Sequence, residues 1–166
     1  TQLTYNEDYS LSCVYHDYLG NPGQEITQIK TIPDAGMYTV TATGKGEYGS
    51  SQNGTFTFLV LQKSLSDSDI KWTVDDGNLI YDAEPQKPDV TSGQFTDEAD
   101  GTQQVDFEID TASGTDGYQN NINAGTDAAR VIIKAPADSN NFTGTVSVPF
   151  SIAQRELKND STVYTI

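Results

Sequence analysis

Sulfur, histidine and basic side chains are scarce in this chain of 166 residues. It has one cysteine, one methionine, one histidine and one tryptophan, and nine lysines and arginines stand against 24 aspartates and glutamates. With Cys13 as the sole thiol, no internal disulfide can form, and zinc or iron–sulfur sites built on several thiolates are excluded. We therefore expect Cys13 to serve as a small buried hydrophobic residue.

The shortage of bases limits the partners of the chain. Its formal net charge is −15, and binding to nucleic acid or to anionic lipid requires clustered lysine and arginine that release counterions. No run of about 18 apolar residues is present either, as a membrane span would need. We expect no nucleic-acid partner and no membrane insertion, while cations and neutral glycans stay open as ligands. The charge could equally serve only to keep an exposed, crowded protein soluble.

Motifs that would carry catalysis are missing or incomplete. A histidine-dependent nucleophile would need His16, whose place in an alternating pattern puts it opposite Cys13, toward solvent. Residues 44–49 match the G-x-G-x-x-G fingerprint, but another turn and strand follow where a phosphate-binding helix is required. Acidic pairs are too numerous for spacing to single out two. We expect no enzyme activity and no cofactor, calcium being the one ion left open.

Hydrophobicity alternates with a period of two almost everywhere, which predicts half-buried antiparallel strands. Turn signals rich in Gly, Asn and Asp recur about every ten residues, a spacing typical of a β-sandwich. No segment shows a convincing helical stripe, and residues 128–134 fit a strand better because they are rich in β-branched side chains. Pro149 within such a pattern predicts an edge strand. The alternating segments are residues 38–43, 55–60, 70–74, 105–110 and 146–152.

The chain repeats itself at a spacing of 92 residues. Residues 63–74 correspond to residues 155–166, and the echo extends upstream, where 58–63 corresponds to 150–155. A fixed spacing of this size predicts a tandem array of similar modules. We divide the chain into repeat one at 1–62, with its leading strand missing, repeat two at 63–154, and the leading strand of a following repeat at 155–166.

Several motifs occur together in residues 34–49, 56–58, 81–88, 118–126, 131–134, 141–146 and 149–152. As a set they resemble the MBG-type bacterial immunoglobulin-like repeat. An insertion around residues 110–117 and the poor fit of residues 10–30 depart from the family.

The resemblance implies two tandem antiparallel Ig-like β-sandwich modules plus the first strand of a third, in an extracellular bacterial protein that is secreted or attached to the cell wall. It implies a non-catalytic spacer that extends or presents other domains, with neighbouring repeats as partners. The alternative is an adhesin that binds glycan or host protein.

Four aspartates near the junction of the repeats form a candidate calcium site. Asp67 and Asp69 precede the predicted strand at 70–74, and Asp75 and Asp76 follow it. Carboxylates at a module boundary can share a divalent ion and stiffen an array. The alternative is that these residues are ordinary solvated turn acids.

Tyr18 and Asn21 form a candidate ligand site. An outward-facing tyrosine near amide and carboxylate groups can stack against a sugar ring while polar groups hydrogen-bond its hydroxyls. The competing interpretation is that tyrosines of this chain serve the core and the turns.

The alternation also predicts the core and one further contact. The tail, residues 157–166, would leave an apolar strand without its module, so it could pair with the open edge of repeat one within one molecule or between copies.

The predicted core residues are Tyr38, Val40, Phe56, Phe58 and Val60 in repeat one, and Trp72, Val74, Val105, Phe107, Val131, Ile133, Val148, Phe150 and Ile152 in repeat two.

Overall fold

The computed structural model describes residues 2–26, 34–49, 53–98 and 100–156, and these are nearly all β-structure. The chain divides into two compact units. Unit 1 comprises 1–63 and 137–142, and unit 2 comprises 64–136 and 143–166. The strands are β1 (Tyr9–His16), β2 (Gln24–Ile26), β3 (Gly36–Gly44), β4 (Gly54–Val60), β5 (Lys63–Ser64), β6 (Lys71–Val74), β7 (Val90–Asp97), β8 (Gly101–Gln104), β9 (Glu108–Ile109), β10 (Tyr118–Gln119), β11 (Gly125–Lys134), β12 (Phe142–Thr143) and β13 (Thr145–Ile152).

Unit 1 is built on one antiparallel sheet in the strand order β2-β1-β3-β4. Alternation places every second residue of each strand on the same face, and the side chains of one face form a hydrophobic cluster. Cys13, Tyr38 and Val40 are its buried members, and Tyr15 and Phe58 are among the partly buried residues that pack against it. Burial of Cys13, as predicted, raises the pKa of its thiol.

A short segment from later in the chain belongs to unit 1 and is bound by side-chain amides. The Oδ1 of Asn141 accepts a hydrogen bond from the Ala35 amide at 2.8 Å, and its Nδ2 donates to Asp34 at 3.0 Å. Asn140 Nδ2 donates to the Ala35 carbonyl at 2.8 Å, and Gln62 Nε2 donates to the Asn140 carbonyl at 3.0 Å. The sequence division at 62/63 assigns these asparagines to repeat two, whereas they pack within unit 1.

Unit 2 contains two antiparallel sheets whose apolar faces share one core. One sheet has the order β10-β11-β13, with β9 also paired to β11, and the other has the order β6-β7-β8. Val131, Ile133 and Phe150 are fully buried at the centre, and Trp72 and Val74 of β6 pack against them from the other sheet. The ring centroid of Trp72 lies 5.3 Å from that of Phe107 in an edge-on contact. A sandwich-like, all-β arrangement is therefore present in unit 2.

Most of the predicted strands and core residues are confirmed. Segments 38–43, 55–60, 128–134 and 146–152 lie in strands, as does 70–74 apart from Ile70. Pro149 lies in β13, the terminal strand of its sheet among the described residues. The core prediction for repeat two is confirmed, with five residues buried in the cluster, Trp72, Val74 and Phe107 partly buried against it and Val105 buried.

Two predictions were wrong. Phe56 was expected in the core, but 60% of it is exposed, although it lies opposite the buried Val40. It lies on β4, the terminal strand of this sheet among the described residues. Residues 105–110 were expected to form one strand, but only Glu108–Ile109 does. The Val105 amide still donates to the Gly93 carbonyl at 2.9 Å, in register with the pair Gln94 and Gln104, but β8 ends at Gln104.

Matching pairs of residues face each other across neighbouring strands in unit 1 and in unit 2. In unit 1 Gly36 lies opposite Val60 across β3 and β4. In unit 2 Gly125 lies opposite Ile152 across β11 and β13, and an irregularity between Gly125 and Ala129 follows. In the sequence, Ala35 and Gly36 match Ala124 and Gly125 at a spacing of 89 residues, and Val60 matches Ile152 at the spacing of 92. Residues that correspond in the sequence therefore hold the same strand register in both units.

The predicted strand at 155–166 and its pairing through 157–166 lie outside the described residues, apart from Arg155 and Glu156, which are not in a strand. No helix in the described ranges has the length and hydropathy of a membrane span.

Candidate functional site

Tyr18 and Asn21 lie in one turn after β1, and the turn is organised by Asp17. The Asp17 carboxylate accepts hydrogen bonds from the Asn21 side-chain amide at 2.7 Å, from the Asn21 backbone amide at 3.0 Å and from the Leu19 amide at 3.1 Å. The hydrogen bond from the Asn21 side chain is the main reason that the pKa of Asp17 is lowered. The donor group of Asn21 is therefore used to hold the turn.

Tyr18 is partly available to a ligand. Its side chain is 42% exposed, and its hydroxyl donates to the Val60 carbonyl at 3.2 Å. Its backbone amide donates to Asn140 Oδ1 at 3.0 Å, within unit 1. One face of the ring could receive a sugar, but the surrounding hydrogen bonds are those of a supported turn.

The four predicted calcium ligands lie around β6 in unit 2. Asp67 and Asp69 lie in the turn before this strand, where the Ile70 amide donates to the Asp67 carbonyl at 3.1 Å. Asp75 and Asp76 follow the strand, and the Asp76 carboxylate accepts a hydrogen bond from the Ser151 amide at 3.1 Å. Within the described ranges, no three acidic, histidine or cysteine side chains are grouped as a metal site would require. Calcium at these residues stays a prediction that solution measurements must test.

Calcium binding at these aspartates should raise the melting temperature. Extracellular calcium modules bind with dissociation constants of about 0.1–1 mM, so an ion concentration about tenfold above that constant would stabilise the fold by about 1.4 kcal/mol. Differential scanning calorimetry with calcium and with chelator measures the shift. The double variant Asp67→Asn, Asp69→Asn serves as control and should lose it. An unchanged melting temperature of the unaltered chain in millimolar calcium would remove the site.

A hollow lined largely by amide side chains lies on the surface of unit 2, and the sequence pattern did not single it out. It has a volume of about 470 Å³. We call it the amide hollow. The lining residues, all uncharged, are Gly114, Thr115, Tyr118, Gln119, Asn120, Asn121, Ile122 and Asn123.

Two inward side chains anchor the amide hollow to the core of unit 2. The Tyr118 hydroxyl donates to the Pro88 carbonyl at 2.9 Å, and burial raises the pKa of this hydroxyl. The buried Asn121 side chain donates to the Gln86 carbonyl at 2.8 Å, and the backbone carbonyl of Asn121 accepts a hydrogen bond from the Gln86 backbone amide at 2.7 Å. Both residues fix the backbone from which their neighbours project.

The loop that carries the amide hollow adopts left-handed conformations at several positions, two of which, Asp116 and Gly117, do not line the hollow. Asp116 and Asn120 both have φ of 53°, and Gly117 has φ of 90°. Asparagine and aspartate tolerate this region better than most residues with a Cβ, but a side chain at Gly117 would also collide with Ile109. Gln119, Asn120 and Asn123 are exposed on this fixed backbone. The arrangement offers hydrogen-bond donors and acceptors without charge.

No family model, curated protein or solved structure matches the chain significantly. The resemblance to MBG-type repeats therefore rests on the motifs quoted above.

Proposed function

We propose that the chain is a non-catalytic structural repeat of an extracellular bacterial surface protein, and that it extends or presents other domains. The observation that carries the proposal is the shared register, in which Gly36 faces Val60 and Gly125 faces Ile152. In a tandem array, segments that match in the sequence form the same strand pairs in each repeat. Each unit also has its own hydrophobic cluster. Neighbouring repeats of the same chain are the partners this function needs.

A spacer must withstand pulling forces and refold after it has been unfolded. Single-molecule force spectroscopy, with the force applied at the two ends of the chain, tests this property. We expect discrete unfolding events followed by refolding on relaxation, because antiparallel sheets around separate clusters unfold cooperatively. The Phe150→Ala variant is the control and should unfold at lower force. Gradual lengthening at low force without refolding would contradict a load-bearing spacer.

The amide hollow favours a second candidate function, an adhesive module that binds neutral glycan. Side-chain amides can donate to and accept from the hydroxyls of a sugar, and the exposed Ile122 supplies an apolar contact beside them. The absence of charged lining residues fits a neutral ligand better than an ionic one. A host protein, the other adhesive partner we expected, has no comparable support from the geometry.

A glycan array probed with the whole chain separates the two functions. Under the adhesive function, binding should be saturable, lost in Asn120→Ala and retained in Asn78→Ala, which removes an exposed amide elsewhere in unit 2. Binding lost only in Tyr18→Ala would place the ligand at the Tyr18 turn. If no glycan binds reproducibly, the spacer function stands alone.

A further inference from the structure

The apolar face of the unit 1 sheet is closed in the middle and open at one end. Cys13, Tyr38 and Val40 are at most 2% exposed, whereas Leu11, further along the same face, and Phe56, beside Val40 on the terminal strand β4, are exposed. We call this exposed part the open end. In the strand register, Leu11 lies opposite Ala42, which lies opposite Gly54, and Phe56 lies opposite Val40.

A largely apolar hollow of about 460 Å³ lies at the open end. The sheet contributes small residues to its floor, which leave space that larger side chains fill in most protein cores. The exposed aromatic and aliphatic groups around it form a surface that soluble proteins rarely leave uncovered. The lining residues are Leu3, Asp8, Tyr9, Ala42, Thr43, Gly44, Tyr48 and Gly54.

Unit 2 shows what fills the corresponding place. Counting from the shared glycine and allowing for the irregularity in β11, the pair Ile133 and Val146 of unit 2 corresponds to Ala42 and Gly54 of unit 1. Ile133 pairs with Ile109 of β9. The Phe107 ring, two residues before Ile109, contacts the Trp72 ring. Trp72 of β6 also packs against the cluster that contains Ile133.

The chain carries a second copy of the segment that supplies Trp72. At the spacing of 92 residues, Trp72 and Val74 correspond to Tyr164 and Ile166. Residues 162–166 alternate in the same way, so Tyr164 and Ile166 would share one face of an extended strand. The stretch 155–166 holds two basic and two acidic residues, so its charge does not oppose docking on the acidic chain.

We propose that residues 162–166 of a second copy of this chain dock on the open end, with Tyr164 entering the hollow beside Ala42 and Phe56. An aromatic side chain buries about 150–250 Å², which makes Tyr164 the main source of affinity. In the single chain the open end is exposed, which leaves it accessible to another molecule. The contact joins the tail of one copy to the open end of another, and these two surfaces differ. Association therefore produces open chains of molecules, unless two copies exchange their tails reciprocally and form a dimer.

Sedimentation velocity over a hundredfold range of protein concentration tests the proposal. The unaltered chain should shift from monomer to larger species as concentration rises. Tyr164→Asp removes the aromatic side chain of the docking segment, and Phe56→Asp places a charge at the open end. Each variant should weaken association at least tenfold. Thr165→Asp alters the opposite face of the same segment, so it is the matched control and should associate like the unaltered chain.

Mixing the two defective variants provides the decisive measurement. Phe56→Asp retains an intact tail and Tyr164→Asp retains an intact open end, so a mixture should form heterodimers that neither variant forms alone. Unchanged Trp72 emission and an unreactive Cys13 thiol would verify that both units stay folded. A chain that is monomeric at every concentration, variants that associate as strongly as the unaltered chain, or a mixture that stays monomeric would each overturn the proposal.

Discussion

Replacing Phe150 by alanine is expected to lower the free energy of unfolding of unit 2 by about 3–5 kcal/mol. Phe150 is 0% exposed and lies opposite Ala129 in the strand register. Its ring meets that of Tyr118 edge-on, with centroids 6.2 Å apart and planes at 82°. The substitution removes this contact and leaves a cavity between two sheets whose backbones are fixed by their ladders, so the surroundings can collapse only partly.

The sole tryptophan makes this loss measurable. Trp72 packs against the same cluster, so its fluorescence during denaturant unfolding reports on unit 2. Ser147→Ala, at an exposed position of the same strand, is the matched control and should change stability by less than about 0.5 kcal/mol. A loss below about 1 kcal/mol in Phe150→Ala would show that the two sheets do not share the core described here.

The period-two pattern was sufficient to predict most of unit 2. β13 alternates apolar residues with polar ones, as a strand with one buried face does, so Val148 and Phe150 were identifiable as core residues from spacing alone. β11 instead carries the consecutive apolar residues 131–133, and all of them are buried. Trp72 was identifiable for the same reason as Val148 and Phe150, and it is partly buried against the cluster.

Other features depend on tertiary contacts that leave no periodic trace. Asn140 and Asn141 resemble ordinary turn residues, and nothing in their spacing predicts hydrogen bonds to Ala35, more than a hundred residues away. The amide hollow was missed because its residues match a turn motif of the family that the chain resembles. Phe56 was misplaced because alternation identifies the face of a strand but not whether a second layer covers that end of the face.

Replacing Tyr38 by alanine should destabilise unit 1 by about 3–5 kcal/mol, by analogy with other buried aromatic truncations. Tyr38 is 1% exposed, and its ring stacks on Phe58 with centroids 5.1 Å apart and planes at 6°. The Tyr15 ring lies 4.9 Å away on a tilted plane. The Tyr38 hydroxyl donates to the Asp34 carbonyl at 2.7 Å, and burial raises the pKa of this hydroxyl. The side chain thus contributes both packing and a polar anchor.

Cys13 makes unit 1 separately observable. Its thiol is 1% exposed and should react with a thiol reagent only when unit 1 opens, at a rate that follows the opening equilibrium when reclosing is fast. A loss of about 3 kcal/mol corresponds to a rise of about a hundredfold in that rate. Tyr38→Phe keeps the stacked ring and removes only the hydrogen bond, so about 1 kcal/mol should be lost.

Phe56→Ala distinguishes the structure from the sequence prediction, since alternation places Phe56 in the same core as Tyr38. At a protein concentration too low for association, the exposed ring should contribute less than about 1 kcal/mol, because most of its surface stays in water in the folded chain. A Cys13 reaction rate in Phe56→Ala that approaches the rate in Tyr38→Ala would mean that the open end is closed in solution. A rate near that of the unaltered chain would leave the apolar surface around Phe56 free to receive a strand.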